Sequence, residues 1–274
     1  MRSLGPFILA VLLIGQPGRV HAQSGKGKTT EITIPSKTYQ GGRHGWAYTP
    51  PGYPASCRPG CNLMIVFDGS MYLADMPLPD ILDSLIASKR TPPMVAILFD
   101  NGAPPDRLTD LANSKRFASF VATELVPWVR QHYAVTHAAD HTIIGGSSAG
   151  GLGATYIALE HPELFGNVLS QSGAFWRGNE ASNDPPYEWL TVQFATSPKV
   201  NVRLFLDVGS LETHGALGGA APSLLDANRH LRDVLRKKGY AIDYFEVPNG
   251  EHSPESWRAR LPFGIVSLAP GNVP

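Results

Sequence analysis

Residues 141 to 159 read HTIIGGSSAGGLGATYIAL, a stretch holding two serines and five glycines. Two isoleucines precede the glycine-rich cluster and a helix-like run follows it, so the cluster marks a strand turning into a helix. Gly146-Ser147-Ser148-Ala149-Gly150 fits G-x-S-x-G with Ser148 at its centre. In such a corner the central serine sits on strained, exposed backbone, and the flanking glycines remove Cβ atoms that would collide there. The helix that begins beyond Ser148 favours negative charge developing beside it. Ser147 falls on the x position, which points its side chain elsewhere. A glycine-rich helix start in a nucleotide-binding fold shares part of this pattern. The predicted strand before the serine and helix after it are the context that a nucleophile elbow requires.

A serine hydroxyl is a poor nucleophile at neutral pH and needs a base. In this architecture the partners follow in the order Ser, acid, His. Four histidines lie downstream: His161, His214, His230 and His252. His161 sits in a helix-stop segment and His230 lies mid-helix on a charged face. His252, in VPNGEHSPESW, falls in the loop after the last predicted strand, where a catalytic histidine belongs; His214 is the reserve. The acid is expected at Glu212, just beyond the strand VRLFLDVG, from which a carboxylate can orient an imidazole. Asp207, within that strand, and a Ser/His pair without an acid remain open. The oxyanion needs two backbone N–H groups. One comes from Ala149, and the loop VFDGSMYL offers Gly69 and Ser70 for the other.

The rest of the chain places these residues in an α/β domain. Apolar runs at 62–69, 93–100, 141–146 and 202–209 read as buried strands, and alternating patterns at 30–36 and 43–50 as half-exposed ones. Helical spacing covers LPDILDSLIASKR (78–90), 117–133, the segment after Ser148, the charged run ending at Gly239, and SPESWRARLPFGIVSL. A last strand falls at 241–248. Strands alternating with helices imply βαβ units and a mostly parallel sheet with helices on both faces. The chain has 274 residues, 43% of them hydrophobic and 17% charged, with no net charge. That size suits one domain. The even charge balance, without a basic stripe, speaks against nucleic-acid binding.

Residues 1–22 differ: Arg2, an apolar run from Leu4 to Ile14 and a small-residue end at Val20-His21-Ala22 predict a secretory signal cut after Ala22. The run is well short of the ~20 residues a membrane span needs, and no span is expected in the mature chain, 23–274. The periplasm or the exterior is then the expected location. Cys57 and Cys61 flank Pro59-Gly60, and in an exported chain they are expected to form a disulfide closing a short loop. Free thiols and a metal site are the alternatives. No metal, nucleotide or other cofactor is expected, and nothing reads out an oligomeric state.

With these residues in hand, the chain resembles the enterochelin-esterase-like branch of the esterase D superfamily. The stretches LMIVFDGSMY, DRLTDLANSKRFASFVATELVPWVR, GGSSAGGLGATYIALEHPELFGNVLSQSGAFW and NGEHSPESWRARL carry the likeness. The resemblance implies an α/β-hydrolase fold and cofactor-free ester hydrolysis through an acyl-enzyme. Ser148 matches the nucleophile, His252 the base, Glu212 the acid position and residues 68–70 the oxyanion loop. Some exported relatives work with a Ser/His pair alone. The partner is then a small-molecule ester, of the enterobactin siderophore type. Feruloyl or acetyl esters of carbohydrates and acyl transfer are alternatives, and a silent binder is the non-enzymatic one. An anionic iron–catecholate ligand calls for arginines and aromatics, and Arg107, Trp176, Arg177, Trp257 and Arg258 are the candidates.

Overall fold

The computed structural model describes residues 25–102, 106–179 and 185–270. The expected signal peptide therefore lies outside the described residues. Among the described residues eight strands build one sheet: β1 Lys28–Pro35, β2 Gly42–Thr49, β3 Asn62–Phe67, β4 Met94–Phe99, β5 Thr142–Ser147, β6 Asn167–Gln171, β7 Arg203–Gly209 and β8 Ala241–Val247. Their spatial order is β1-β2-β4-β3-β5-β6-β7-β8. The first two strands run antiparallel to their neighbours and every later pairing is parallel. The strands β3, β4, β5 and β6 are buried at every position. Apolar runs such as β3 and β4 belong in such a place, because helices cover both faces, and buried polar side chains there, such as Ser147 and Gln171, find hydrogen-bond partners within the protein.

Helices pack on the two faces of this sheet. They are α1 Gly69–Ala74, α2 Leu78–Ala87, α3 Asp106–Leu111, α4 Lys115–Phe120, α5 Val126–His132, α6 Ala149–Glu160, α7 Trp189–Thr196, α8 Leu224–Lys237 and α9 Pro254–Leu268. Alternation along β3 sends Leu63, Ile65 and Phe67 to one core, with Phe117, Phe120, Leu152, Ile157, Leu231 and Leu235. Met64 and Val66 go to the other, with Tyr72, Leu82, Leu85, Trp257, Leu261 and Ile265. The expected helix over 117–133 runs from Lys115 to His132, with a π-helical stretch at Val121–Leu125 ahead of Pro127. There the proline falls in a first turn, which tolerates its missing N–H. The short helices α1, α3 and α7 are additions to the expected elements.

Two features of the sheet position the site. The register of β3 against β5 pairs Val66 with Gly145, so Gly69 and Ser148 leave the sheet side by side three residues later. The elbow helix α6 is buried along its length from Ala149 to Leu159. Glycine is required where it enters: a Cβ on Gly146 would stand 2.5 Å from the backbone of Gly150, and one on Gly151 would collide with Ser170.

Cys57 and Cys61 are joined in a disulfide with their Cα atoms 4.5 Å apart, in the turn before β3. A loop this short limits the stabilisation to about 2 kcal/mol in the chain-entropy account. Replacing both cysteines by serine is expected to lower the melting temperature by several degrees and leave ester turnover intact. A calorimetric scan beside a rate measurement checks this.

Candidate active site

Ser148 stands between β5 and α6 with φ 57° and ψ −121°. A non-glycine residue there stores roughly 1–3 kcal/mol of strain and persists only when its surroundings over-determine it. Three backbone hydrogen bonds do so: Ser148 N–H donates to Gln171 O at 2.9 Å, and its carbonyl accepts from Leu152 at 3.1 Å and Ala174 at 3.0 Å. Ser147 is fully buried and its hydroxyl meets that of Tyr72 at 3.1 Å. Of the two serines, only Ser148 turns toward the other groups of the site.

His252 Nε2 lies 3.0 Å from Ser148 Oγ, and its Nδ1 lies 2.6 Å from Glu212 Oε2. The loops that carry these residues are zipped together: Ser210 N–H donates to Val247 O, and Leu211 N–H to Gly250 O. The N-terminus of α9, capped by Ser253, then follows His252 directly. Glu212 is 7% exposed. Its second oxygen, Oε1, accepts from Gly209 N–H at 2.8 Å and from Ser172 Oγ at 2.5 Å. Trp257 Nε1 donates to Ser172 Oγ at 2.9 Å. An indole N–H can only donate, so the Ser172 proton is directed to Glu212. Glu212 then receives three donors, and the His252 proton that reaches it is placed on Nδ1. That leaves Nε2 with a lone pair facing the Ser148 hydroxyl. Five residues therefore form one chain of hydrogen bonds in which donation converges on Glu212 from both ends.

The first N–H groups of a helix have no acceptor within it. Ala149 at the start of α6, and Gly69 and Ser70 at the start of α1, carry such groups. Gly69 packs so tightly on the Leu98 carbonyl that no Cβ fits.

The remaining expected residues are placed differently from one another. Arg107 is committed to Asp68: its Nε and Nη2 donate to the two carboxylate oxygens at 2.5 and 2.7 Å. Trp257 is buried, its ring edge-on to His252 at 4.9 Å, so it backs the imidazole and is closed to a ligand. Trp176 is buried too, with the Arg177 guanidinium stacked over it at 4.7 Å. Burial, and next the charge of Arg107, lower the pKa of Arg177. Arg258 is exposed and reaches toward Asp75 O at 3.5 Å. His214 does not take the place of His252; it lines a cavity of about 550 Å³ beside it, with Leu211, Thr213, Leu224 and Glu251. His161 closes α6, and His230 pairs with Glu188. Among the described residues no cluster of His, Cys, Asp and Glu could hold a metal ion.

Asp207 is 1% exposed and pairs with Gln171 Nε2 at 3.1 Å. Burial pushes its pKa up to about 7, against the Gln171 hydrogen bond and the charge of Arg260, with Glu212 adding to the rise. Below about pH 4 the carboxyl is protonated whether the chain is folded or not. From there to about pH 7 only the folded state keeps the proton, so Asp207 subtracts stability as pH rises through that window. The melting temperature of Asp207→Asn, relative to wild type, is therefore expected to climb from pH 4 to pH 7. A constant offset in a pH series of thermal melts would contradict it.

Comparison with known proteins places the chain in a family. A family model described as putative esterase matches residues 36–266. The chain belongs to this family. It is 30% identical over 256 residues to the iron(III) enterobactin esterase of Escherichia coli O6:H1, covering 92% of this chain and 60% of that protein. The enterobactin esterase from Shigella flexneri, solved in the presence of enterobactin, superposes with a TM-score of 0.76 at 28% identity. That match covers 90% of this chain and 60% of the other. The chain thus spans about 60% of the length of the curated enterobactin esterases it matches. A ferulic acid esterase shares the fold with a TM-score of 0.71 at 19% identity, covering 89% of this chain and 98% of the other. The fold is that of the α/β-hydrolases. Among the described residues no helix is long and apolar enough to cross a membrane.

Proposed function

We propose that this esterase cuts the ester bonds of an enterobactin-type catecholate siderophore through an acyl-enzyme on Ser148, outside the cytoplasm. The observation that carries the chemistry is the hydrogen-bonded chain from Ser148 through His252 to Glu212 at a strained strand-to-helix corner. Ser148 Oγ attacks the ester carbonyl carbon while His252 Nε2 takes its proton. The carbonyl oxygen, now negative, is received by the N–H groups of Ala149 and Ser70. The C–O bond to the alcohol then breaks and His252 returns the proton to the departing oxygen. Water attacks the acyl-enzyme in the reverse sense and frees Ser148. Glu212 completes a triad in this reading by holding the imidazole tautomer and stabilising its charged form.

The substrate part rests on the likeness to enterobactin esterases and on a half-buried cation, Arg177, stacked on Trp176 near Arg107. A catecholate ligand is anionic and aromatic, which suits such a wall. The location rests on the leader expected at 1–22 and on the Cys57–Cys61 disulfide, a bond of oxidising compartments. The test is product analysis by chromatography after incubating residues 23–274 with iron-loaded and iron-free enterobactin, with Ser148→Ala as control. Linear dihydroxybenzoyl-serine fragments from wild type alone support the proposal. No cleavage of enterobactin by protein that hydrolyses a p-nitrophenyl ester rejects the siderophore and moves the search to feruloyl and acetyl esters.

A further inference from the structure

We propose that Arg107 is a positioning residue of the oxyanion loop, acting by neutralising Asp68, and that it does not grip the substrate. The proposal rests on the serine-esterase reading above. Asp68 links β3 to α1 with φ 60° and ψ 47°, a left-handed conformation that an aspartate adopts only at some cost. The residue is 8% exposed and is held at both ends. Its N–H donates to Asn101 Oδ1 at 3.2 Å, and the Asn101 amide donates on to Asp110 at 3.4 Å. Asp110 is itself fixed by Arg43 at 2.6 Å and by the Tyr39 hydroxyl at 2.7 Å. The Asp68 carboxylate receives the two-pronged Arg107 fork already described. Such forks fix orientation as well as charge.

The position of this carboxylate makes the pairing matter for the reaction. A Cβ placed on Gly150, in the first turn of α6, would lie 3.1 Å from Asp68 Oδ2. Gly150 is two residues from Ser148, and Asp68 is two residues from Ser70. A bare carboxylate there, buried as Asp68 is, would oppose the negative charge that develops on the substrate oxygen, since charges interact more strongly where water is partly excluded. With Arg107 in place the pair has no net charge, and its fork fixes the backbone from which the Ser70 N–H projects.

The test compares Arg107→Met, Asp68→Asn and the double variant on p-nitrophenyl acetate, a small neutral ester. Removing Arg107 alone leaves the carboxylate bare and is expected to lower kcat on the order of 100-fold, the scale of losing an oxyanion donor, with KM within a few-fold. Asp68→Asn alone removes both the charge and the fork and loses about tenfold or less. The double variant is expected to recover at least about tenfold over Arg107→Met, because the second change removes the charge that the first exposes. A structural pair that merely supports folding would show no such recovery. Full kcat in Arg107→Met, with a raised KM for an anionic catecholate ester, overturns the proposal in favour of a substrate contact. Thermal melts accompany each variant. Where Arg107→Met does not fold, Asp68→Asn and the double variant carry the comparison, and a folded double variant more than about tenfold slower than Asp68→Asn overturns it. Loss of wild-type turnover in Ser148→Ala keeps the esterase reading intact whichever way this comparison falls.

Discussion

Ser148→Ala is expected to lose roughly 10⁴-fold or more in kcat while folding as wild type does. The two halves of that expectation have separate causes. The substitution removes the hydroxyl that faces His252 Nε2, so the acyl-enzyme route closes and only water-based background remains. Folding is spared because the strain at φ 57° belongs to the backbone and its Cβ, which alanine keeps. The three backbone hydrogen bonds that hold this corner do not use the side chain. KM for a p-nitrophenyl ester should change little, since the oxyanion N–H groups and the pocket walls stay in place. Initial-rate kinetics with a thermal melt reads both halves. Near-normal turnover in the alanine variant would mean that another group is the nucleophile.

Glu212→Gln separates a triad from a Ser/His pair and should cost about 10³- to 10⁴-fold in kcat if the carboxylate acts. The argument follows from the fixed sense of donation. Trp257 Nε1 donates to Ser172, so Ser172 must donate onward, and Gly209 N–H also points at Oε1. A glutamine would therefore turn its carbonyl oxygen to those two donors and its NH₂ to His252 Nδ1. The imidazole would be forced to carry its proton on Nε2, where it faces Ser148 and can no longer accept. The loss should appear in kcat with KM nearly constant and with the melting temperature close to wild type. Activity within about tenfold of wild type would show that the pair works without an acid.

Much of this site was legible in the sequence because each of its central residues is tied to one element's end. Ser148 announces itself by the glycines that its tight corner requires, and His252 by following the last strand. Glu212 could be placed beyond a buried strand, although the chain alone could not exclude Asp207. The structure separates them: Asp207 points into the sheet toward Gln171, and Glu212 reaches the imidazole. The sequence served less well where a side chain's role depends on a neighbour far along the chain. Arg107 and Trp257 were expected to face a ligand, since a surface arginine and a tryptophan look the same whichever way they turn. Each faces inward, to Asp68 across 39 residues and to Ser172 across 85. Ser172 escaped notice altogether. Its only signal is a serine directly after a buried strand of a parallel sheet, the same kind of strand end that carries Ser148. The helix α1 was missed because six residues, GSMYLA, are too few to show a helical period.

The most direct test of the account is to trap the acyl-enzyme. Wild-type protein mixed with p-nitrophenyl acetate and quenched in acid within the first turnovers would be digested and read by peptide mass spectrometry. The account predicts an acetyl group on the peptide containing Ser148, with fragmentation placing it on Ser148 and not on Ser147. The adduct should build up further in His252→Ala wherever deacylation is slowed more than acylation. Release of p-nitrophenol with no acetyl group on Ser148, or with the label on another residue, would contradict the account.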